Sequence, residues 1–333
     1  MRREQLPPHA TGTFVLPRWK TVYVSVPKAA CTSLKWLVAD LQEEDPQKFY
    51  GILSRETGRQ MTLHARNWWK KTPTLHELDD DRLAEIDLAD GWFVFAVVRH
   101  PTARLWSAWQ SKFLLREPRF LEKYPGAPWP RLPKTSQDVA DDFATFVRSL
   151  DATDRPSVLR DRHFLTQDRL LGPDDALYSR IYRTDEIGPL LRDLSGHLAA
   201  QGLATMPDLR SNNETPLALL RDQLTPDMVQ TIGHYFAADF RRFGYADVVP
   251  PTGPALTWTP DQLAEIGRLV DRNERIGDLY DMAVGFRDAE KVLRAQLKSS
   301  KHELRRTRAE LREAQRGLGS RLRDGLGRTL RRG

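Results

Sequence analysis

The run Val22-Tyr23-Val24-Ser25-Val26-Pro27-Lys28-Ala29-Ala30-Cys31-Thr32-Ser33-Leu34-Lys35 decides the fold. Its opening, Val22 to Val26, is rich in β-branched and apolar side chains, the pattern of a buried strand. Pro27 breaks the strand, and Leu34, Leu37, Val38 and Leu41 then return on one face of a helix. A second stretch repeats the plan. Trp92 to Val98 is an uninterrupted apolar run, and Arg99 and His100 follow it. Pro101 suits a first helical position, and Leu105, Ala108, Trp109 and Phe113 continue at helical spacing. Two strand–loop–helix units predict an α/β fold with a mainly parallel sheet flanked by helices. A third strand is expected around Leu177 to Tyr182, and a helical pattern from about 185.

Outward from these units, residues 116–136 are rich in Pro and Arg and read as a long surface loop. Val249 to Pro260 is Pro-rich and reads as a linker, which divides the chain into a domain over 1–248, a linker over 249–260 and a helical extension over 261–333. Thr225-Pro226 and Thr259-Pro260 each resemble a helix start, with Thr as N-cap and Pro first inside. Beyond about 280 the pattern is one long charged helix. In it Leu297, Leu304, Leu311 and Leu318 recur every seven residues, while the companion positions Ser300, Thr307 and Ala314 are small or polar. Leu322, Leu326 and Leu330 follow among Arg321, Arg323, Arg328, Arg331 and Arg332. Such a tail predicts weak self-association, or peripheral contact with an anionic membrane surface.

Charge sharpens that division. The chain carries +6 overall, but Arg287 to Gly333 holds 15 Lys/Arg against 6 Asp/Glu, so the body is slightly acidic. A nucleic-acid partner for the body is therefore not expected. No stretch approaches the roughly 20 apolar residues of a membrane span, and the N-terminus lacks the apolar core of a signal peptide. Cys31 is the one cysteine, which excludes an intramolecular disulfide. These features predict a cytoplasmic protein, with the tail as its point of contact with the inner face of the membrane.

The two loops carry the chemistry. Small side chains at Ala29, Ala30 and Cys31 let backbone N–H groups approach an anion. Thr32 and Ser33 add hydroxyls at a helix N-terminus, where the dipole favours negative charge, and Lys28 adds a full positive charge. The bland alternative is a strand-to-helix turn capped by Thr32. Arg99 emerges from the end of the second strand, where ligands gather in open parallel sheets, and its planar fork suits a phosphate. Ser107 lies two helical turns on and is placed to serve the same anion. The alternative here is a structural ion pair and a buried helix serine. Two anion sites at neighbouring strand ends suit a nucleotide with phosphates at both ends of its ribose.

At this point the residues resemble a known family. Val26 to Lys35 resembles the 5'-phosphosulfate loop of carbohydrate sulfotransferases of the chondroitin/dermatan and HNK-1 type. Phe95-Ala96-Val97-Val98-Arg99-His100-Pro101-Thr102-Ala103-Arg104-Leu105-Trp106-Ser107 resembles their 3'-phosphate segment, and His163 to Gln167 and Tyr235 to Tyr245 look alike too. The resemblance spans about 20–247. It implies a P-loop-kinase-like fold and a transferase that uses 3'-phosphoadenosine-5'-phosphosulfate (PAPS) as sulfuryl donor, with no metal required. It implies Lys28, Ala29, Ala30, Cys31, Thr32 and Ser33 around the 5'-phosphosulfate, and Arg99 and Ser107 on the 3'-phosphate. Without the membrane anchor and paired cysteines of the Golgi enzymes, the chain looks like a soluble bacterial relative. The acceptor it implies is a hydroxyl on a carbohydrate or glycolipid.

Sulfuryl transfer needs a base for the acceptor hydroxyl. His64, between the two loops, is the candidate, paired with Lys28 as the catalytic cation. His163 is the contender, while His100 shapes a turn and His76 and His234 read as structural or solvated. Trp68-Trp69-Lys70-Lys71 suits the lining of an acceptor cleft, and Arg66, Arg160 and Arg162 suit an anionic acceptor; Trp106 and Trp109 read as core. Two rival functions remain. A P-loop kinase would need a GxxxxGK[ST] loop and a Mg-binding aspartate, neither of which occurs. A non-catalytic partner-binding protein would not need Lys28, Thr32, Arg99 and Ser107 intact.

Overall fold

The computed structural model describes residues 1–8, 12–45, 63–64, 66, 69–209, 216–219, 221–246, 248–249 and 258–329, without the side chains of Arg119, Arg221 and everything from 317 onward. Four strands form one sheet in the order β1 (Thr13–Leu16), β2 (Thr21–Val24), β3 (Phe93–Val98) and β4 (Arg180–Arg183). β1 and β2 are antiparallel, joined by a short turn in which Lys20 takes a left-handed φ of 40°. β3 runs parallel to β2, and β4 parallel to β3, with Val98 opposite Arg183 at the open end. The mixed α/β fold with a mostly parallel sheet is the one expected from the two strand–loop–helix units.

Ten α-helices follow from the described residues: α1 (Cys31–Leu41), α2 (Asp80–Ala84), α3 (Pro101–Trp109), α4 (Pro118–Lys123), α5 (Ser136–Arg148), α6 (Gln167–Leu171), α7 (Ile187–Ala200), α8 (Pro226–Tyr235), α9 (Ala237–Arg242) and α10 (Pro260–Thr329). Thr225 caps α8 by accepting from Met228 N, and Thr259 accepts from Gln262 N at the start of α10, as the Thr-Pro pairs predict. α3 passes directly into a π-helical turn over Gln110–Leu114. Such a turn rotates the residues after it relative to an unbroken α-helix.

One expectation is corrected, and one strand lies outside what the sequence reading covered. Residues 116–136 are not simply a surface loop. They contain α4, whose Phe120 is buried with Tyr124, and Trp129 packs on Phe113 at 4.8 Å while donating its indole N–H to Tyr124 O. Pro and Arg set the composition of the segment, but its few aromatics decide where it lies. β1, only four residues long and followed at once by Pro17, gave too short a pattern to be read as a strand.

One hydrophobic cluster lies about the sheet with α1 and α7, and a second gathers α3, α5 and α8. Trp258, Leu263, Ile266 and Val270 belong to the second cluster, so the compact unit runs to Asn273, past the Pro-rich stretch at 249. Residues 274–333 form a unit of their own. Among the described residues no helix is long and apolar enough to cross a membrane.

Candidate active site

The loop between β2 and α1 holds two non-glycine residues in left-handed conformation, Lys28 at φ 70° and Ala30 at φ 54°. Each costs on the order of 1–2 kcal/mol, and such strain gathers where backbone N–H groups must turn toward a ligand. Ala30, not Thr32, is the N-cap of α1, and no side chain caps that helix. The capped-turn alternative therefore fails. The first N–H groups of α1 lack intrahelical acceptors by geometry. Thr32 and Ser33 lie buried in that first turn, Cys31 begins it, and Ala29 is fully buried.

Arg99 leaves the end of β3 beside this loop, and its guanidinium Nη1 is 3.4 Å from the Lys28 carbonyl. The Arg99 backbone is clamped: its N–H donates to Gln167 Oε1 and its carbonyl accepts from Gln167 Nε2, both at 2.8 Å. Gln167 is held in turn by the buried carboxylate of Asp239, which accepts the backbone N–H groups of Gln167 and Asp168. Arg104, five residues on, is fully buried. Its guanidinium donates to the carbonyls of Pro27, Leu165 and Arg162 at 2.8 to 3.0 Å. One side chain thus ties the first loop, α3 and the segment before α6 together. Ser107 lies buried in α3, two turns beyond Arg99.

Four further cationic or basic groups gather here. Thr32 Oγ1 lies 3.4 Å from His64 Nε2, and Lys35 Nζ lies 3.1 Å from His64 Nδ1. Lys112, carried by the π turn, pairs with Glu117 at 3.7 Å and acts electrostatically on Lys28, His64 and His163. Burial and then the charge of Lys112 pull Lys28 down to about 8. Burial pulls Lys35 to about 8 as well. For His64, enclosure by protein and then Lys35, Lys112, His163 and Lys28 hold the ring well below its ordinary value. The residue is nonetheless exposed to solvent. His163 donates its Nδ1–H to Asp161 Oδ1 at 2.6 Å, and burial pulls the ring down to about 3. Both rings are thus pushed toward their neutral forms.

The structure therefore brings Lys28, Thr32, His64 and Arg99 into one neighbourhood. Others are placed elsewhere. Trp69 is core, tilted on Phe14 at 4.8 Å, so its ring does not line an acceptor cleft, and the backbone N–H groups of Lys70 and Lys71 bond Glu44. Trp68 lies outside the described residues. Trp106 and Trp109 are core, and Arg66 pairs with Glu77. His100 packs edge-on against Phe240 and Tyr245, and His234 faces Asp151. Lys35, Lys112, Arg104, Asp161 and Asp239 carry the site without having been given roles by sequence. A cleft of about 630 Å³ that none of Lys28, Thr32, His64 and Arg99 lines runs along β4, bounded by Val98, Tyr178, Arg180, Arg183, Arg242 and Gly244 among others.

A family model described as "Sulfotransferase family" matches residues 11–246, more than two thirds of the chain. The chain belongs to the sulfotransferase family. Comparison with curated proteins and with solved structures finds no match. This sulfotransferase accordingly carries both cationic loops, the clamp on Arg99 and the Arg104 tie inside the matched span. Sulfuryl transfer to a hydroxyl-bearing acceptor is its activity in general terms, and the cluster of cations is suited to an anionic donor.

Proposed function

We propose that this sulfotransferase takes the sulfuryl group of PAPS and transfers it in line to a hydroxyl of a carbohydrate or glycolipid, on a P-loop-kinase-like core. The observation that carries the reading is the meeting of Arg99 with the Lys28 carbonyl, which joins two cationic loops at adjacent parallel strand ends. The left-handed Lys28 and Ala30, the open N-terminus of α1 and the surplus of cations fit a donor with phosphates at both ends of its ribose. In this reading Lys28, Thr32 and Ser33 hold the 5' end, with Ala29, Ala30 and Cys31 giving room, and Arg99 and Ser107 hold the 3'-phosphate. The donor supplies an activated sulfuryl group whose leaving phosphate gains negative charge. Lys28 meets that charge as it develops.

His64 is the base in this reading. Its Nε2 lies near Thr32 of the donor loop, and Lys35, drawn to about 8, can accept from Nδ1–H in its neutral form, leaving Nε2 free for the acceptor hydroxyl. One observation favours a second reading: Asp161 holds His163 by Nδ1, the arrangement of a base with its orienting carboxylate. The single Cys31, a free thiol, fits a reducing cytoplasmic setting. Transfer of radiolabel from PAPS to a panel of sugars and glycolipids, with ATP binding measured alongside, tests the function. Labelled sugar products and preference for PAPS are expected; binding of ATP in preference to PAPS would return the protein to the kinase class.

A further inference from the structure

Residues 274–329 form a helical unit, and none of its described side chains is among the members of either core cluster. It still carries large apolar side chains. Leu279, Met282, Phe286, Leu293, Leu297, Leu304 and Leu311 are each more than half exposed. Their spacing is not random. Leu279, Met282, Phe286, Ala289 and Leu293 alternate steps of three and four, the a and d positions of heptads. One extra step of four leads from Leu293 to Leu297. Leu297, Ser300, Leu304, Thr307, Leu311 and Ala314 then resume the same alternation. A four-residue stutter of this kind unwinds a supercoil locally without ending the helix, and α10 is continuous through it.

The charged flanks name the occupant. With the leucines from 297 at position a, Lys301 and Arg308 fall at e, and Glu303 and Glu310 at g. In a parallel, in-register pair, g faces the e position five residues on, so Glu303 meets Arg308 of the other helix. In an antiparallel pair g faces g and e faces e, which would set Glu against Glu and Lys against Arg. Within its own helix Glu310 is engaged by Arg306 at 2.9 Å, as Glu290 is by Arg294. Glu303 and Arg308 make no such pair among the described residues. The apolar stripe after Leu297 is a single seam one residue wide, flanked by acids as well as bases. A helix lying in a membrane interface would instead present a broad apolar face.

We propose that residues 279–314 form a parallel, in-register two-stranded coiled coil with a second copy of this chain, its register set by Glu303 and Arg308. The small companion residues Ser300, Thr307 and Ala314 make the pairing reversible.

Sedimentation equilibrium of the full-length protein over a concentration series is the test, and it leaves the transfer chemistry untouched. A monomer–dimer equilibrium is expected, weakened at least about tenfold by Leu304→Asp. At low salt Glu303→Lys and Arg308→Glu should each weaken it by roughly two- to fivefold, and the double reversal should restore it. A chain that stays monomeric throughout overturns the proposal. Strengthening by Glu303→Lys alone would mean an antiparallel pair and overturn the register. Salt-sensitive co-sedimentation of a monomeric chain with phosphatidylserine-containing vesicles would assign the stripe to a membrane instead.

Discussion

Replacing Arg104 by Met tests whether one buried guanidinium organises the donor site. The change keeps much of the side chain's length and removes three hydrogen bonds, to the carbonyls of Pro27, Leu165 and Arg162. Bonds from a charged donor are worth roughly 1.5–3 kcal/mol each. Against them stands the burial of the charge, which lowers the Arg104 pKa to about 10, a penalty of roughly 3 kcal/mol. The net loss expected on substitution is therefore about 4 kcal/mol, with the three carbonyls left buried and short of donors. For a domain of this size that corresponds to a melting temperature lower by about 8–16 °C. Urea unfolding gives the stability, and isothermal titration of 3',5'-adenosine bisphosphate at low temperature gives the site. Affinity in the folded fraction should fall, because the Pro27 carbonyl anchors the loop that bears Lys28. Arg104→Lys, which keeps charge but cannot fork to three carbonyls, should lie between parent and Arg104→Met. If Arg104→Met unfolds within about 1 kcal/mol of the parent and binds the bisphosphate equally well, the tie does not organise the site.

Arg99→Ala should weaken PAPS and the bisphosphate product by similar factors, on the order of 2–3 kcal/mol. Lys28→Ala should instead depress turnover far more than product binding; equal effects of both changes in titration and in transfer assays would remove that division of roles. His64→Ala should lower turnover by about 10²–10⁴-fold with nucleotide affinity nearly intact, whereas loss of that size in His163→Ala, with a near-normal His64→Ala, would give the base to His163. Lys28 titrates near 8 in the free protein, so kcat/KM for the donor should fall as the pH rises and that charge is lost, and Lys28→Arg should move that limb upward. The stability of the ligand-free protein should change in the opposite sense. Between about 8 and the ordinary lysine value the unfolded chain binds more protons, so stability rises with pH there, as urea unfolding at pH 8 and 10 can measure.

How far the sequence led depended on whether a signal was local. β2, β3 and the helices after them could be read because an apolar run, a Pro and a helical repeat lie side by side in the chain. The positions of Lys28 and Arg99 just past strand ends were legible for the same reason. The partners were not. Lys35 meets His64 across 29 positions of chain, and Arg104 reaches Leu165 across 61. Gln167 clamps Arg99 from 68 positions away, and nothing in its neighbourhood marks it for that task. Lys112 is presented by a π turn, which no apolar periodicity announces. The error over Trp69 has a physical source as well. A Trp beside another Trp and two lysines looks like sugar-binding surface, but β1, too short to be recognised, supplies the Phe14 ring that buries it.

The surplus of positive charge explains why this site is built against its own stability. Lys28, Lys35, Lys112 and Arg99 converge, and the nearest acids, Glu117 and Asp161, are engaged by Lys112 and by His163. Two of the lysines respond by falling to about 8, first because burial strips them of water and then because of a nearby cation, Lys112 for Lys28 and Arg162 for Lys35. The left-handed Lys28 and Ala30 add backbone strain at the same place. An anionic donor removes the charge part of that cost by supplying the missing counter-ions. Binding should therefore raise the lysine pKa values and stabilise the fold beyond what its contacts alone would give. The rigid parts make this tolerable: Arg104 and the Gln167–Asp239 clamp fix the loops through neutral carbonyls and a remote carboxylate, away from the place where the donor's charge must go. A carboxylate set among the lysines would have stabilised the empty protein and competed with the donor for the same cations.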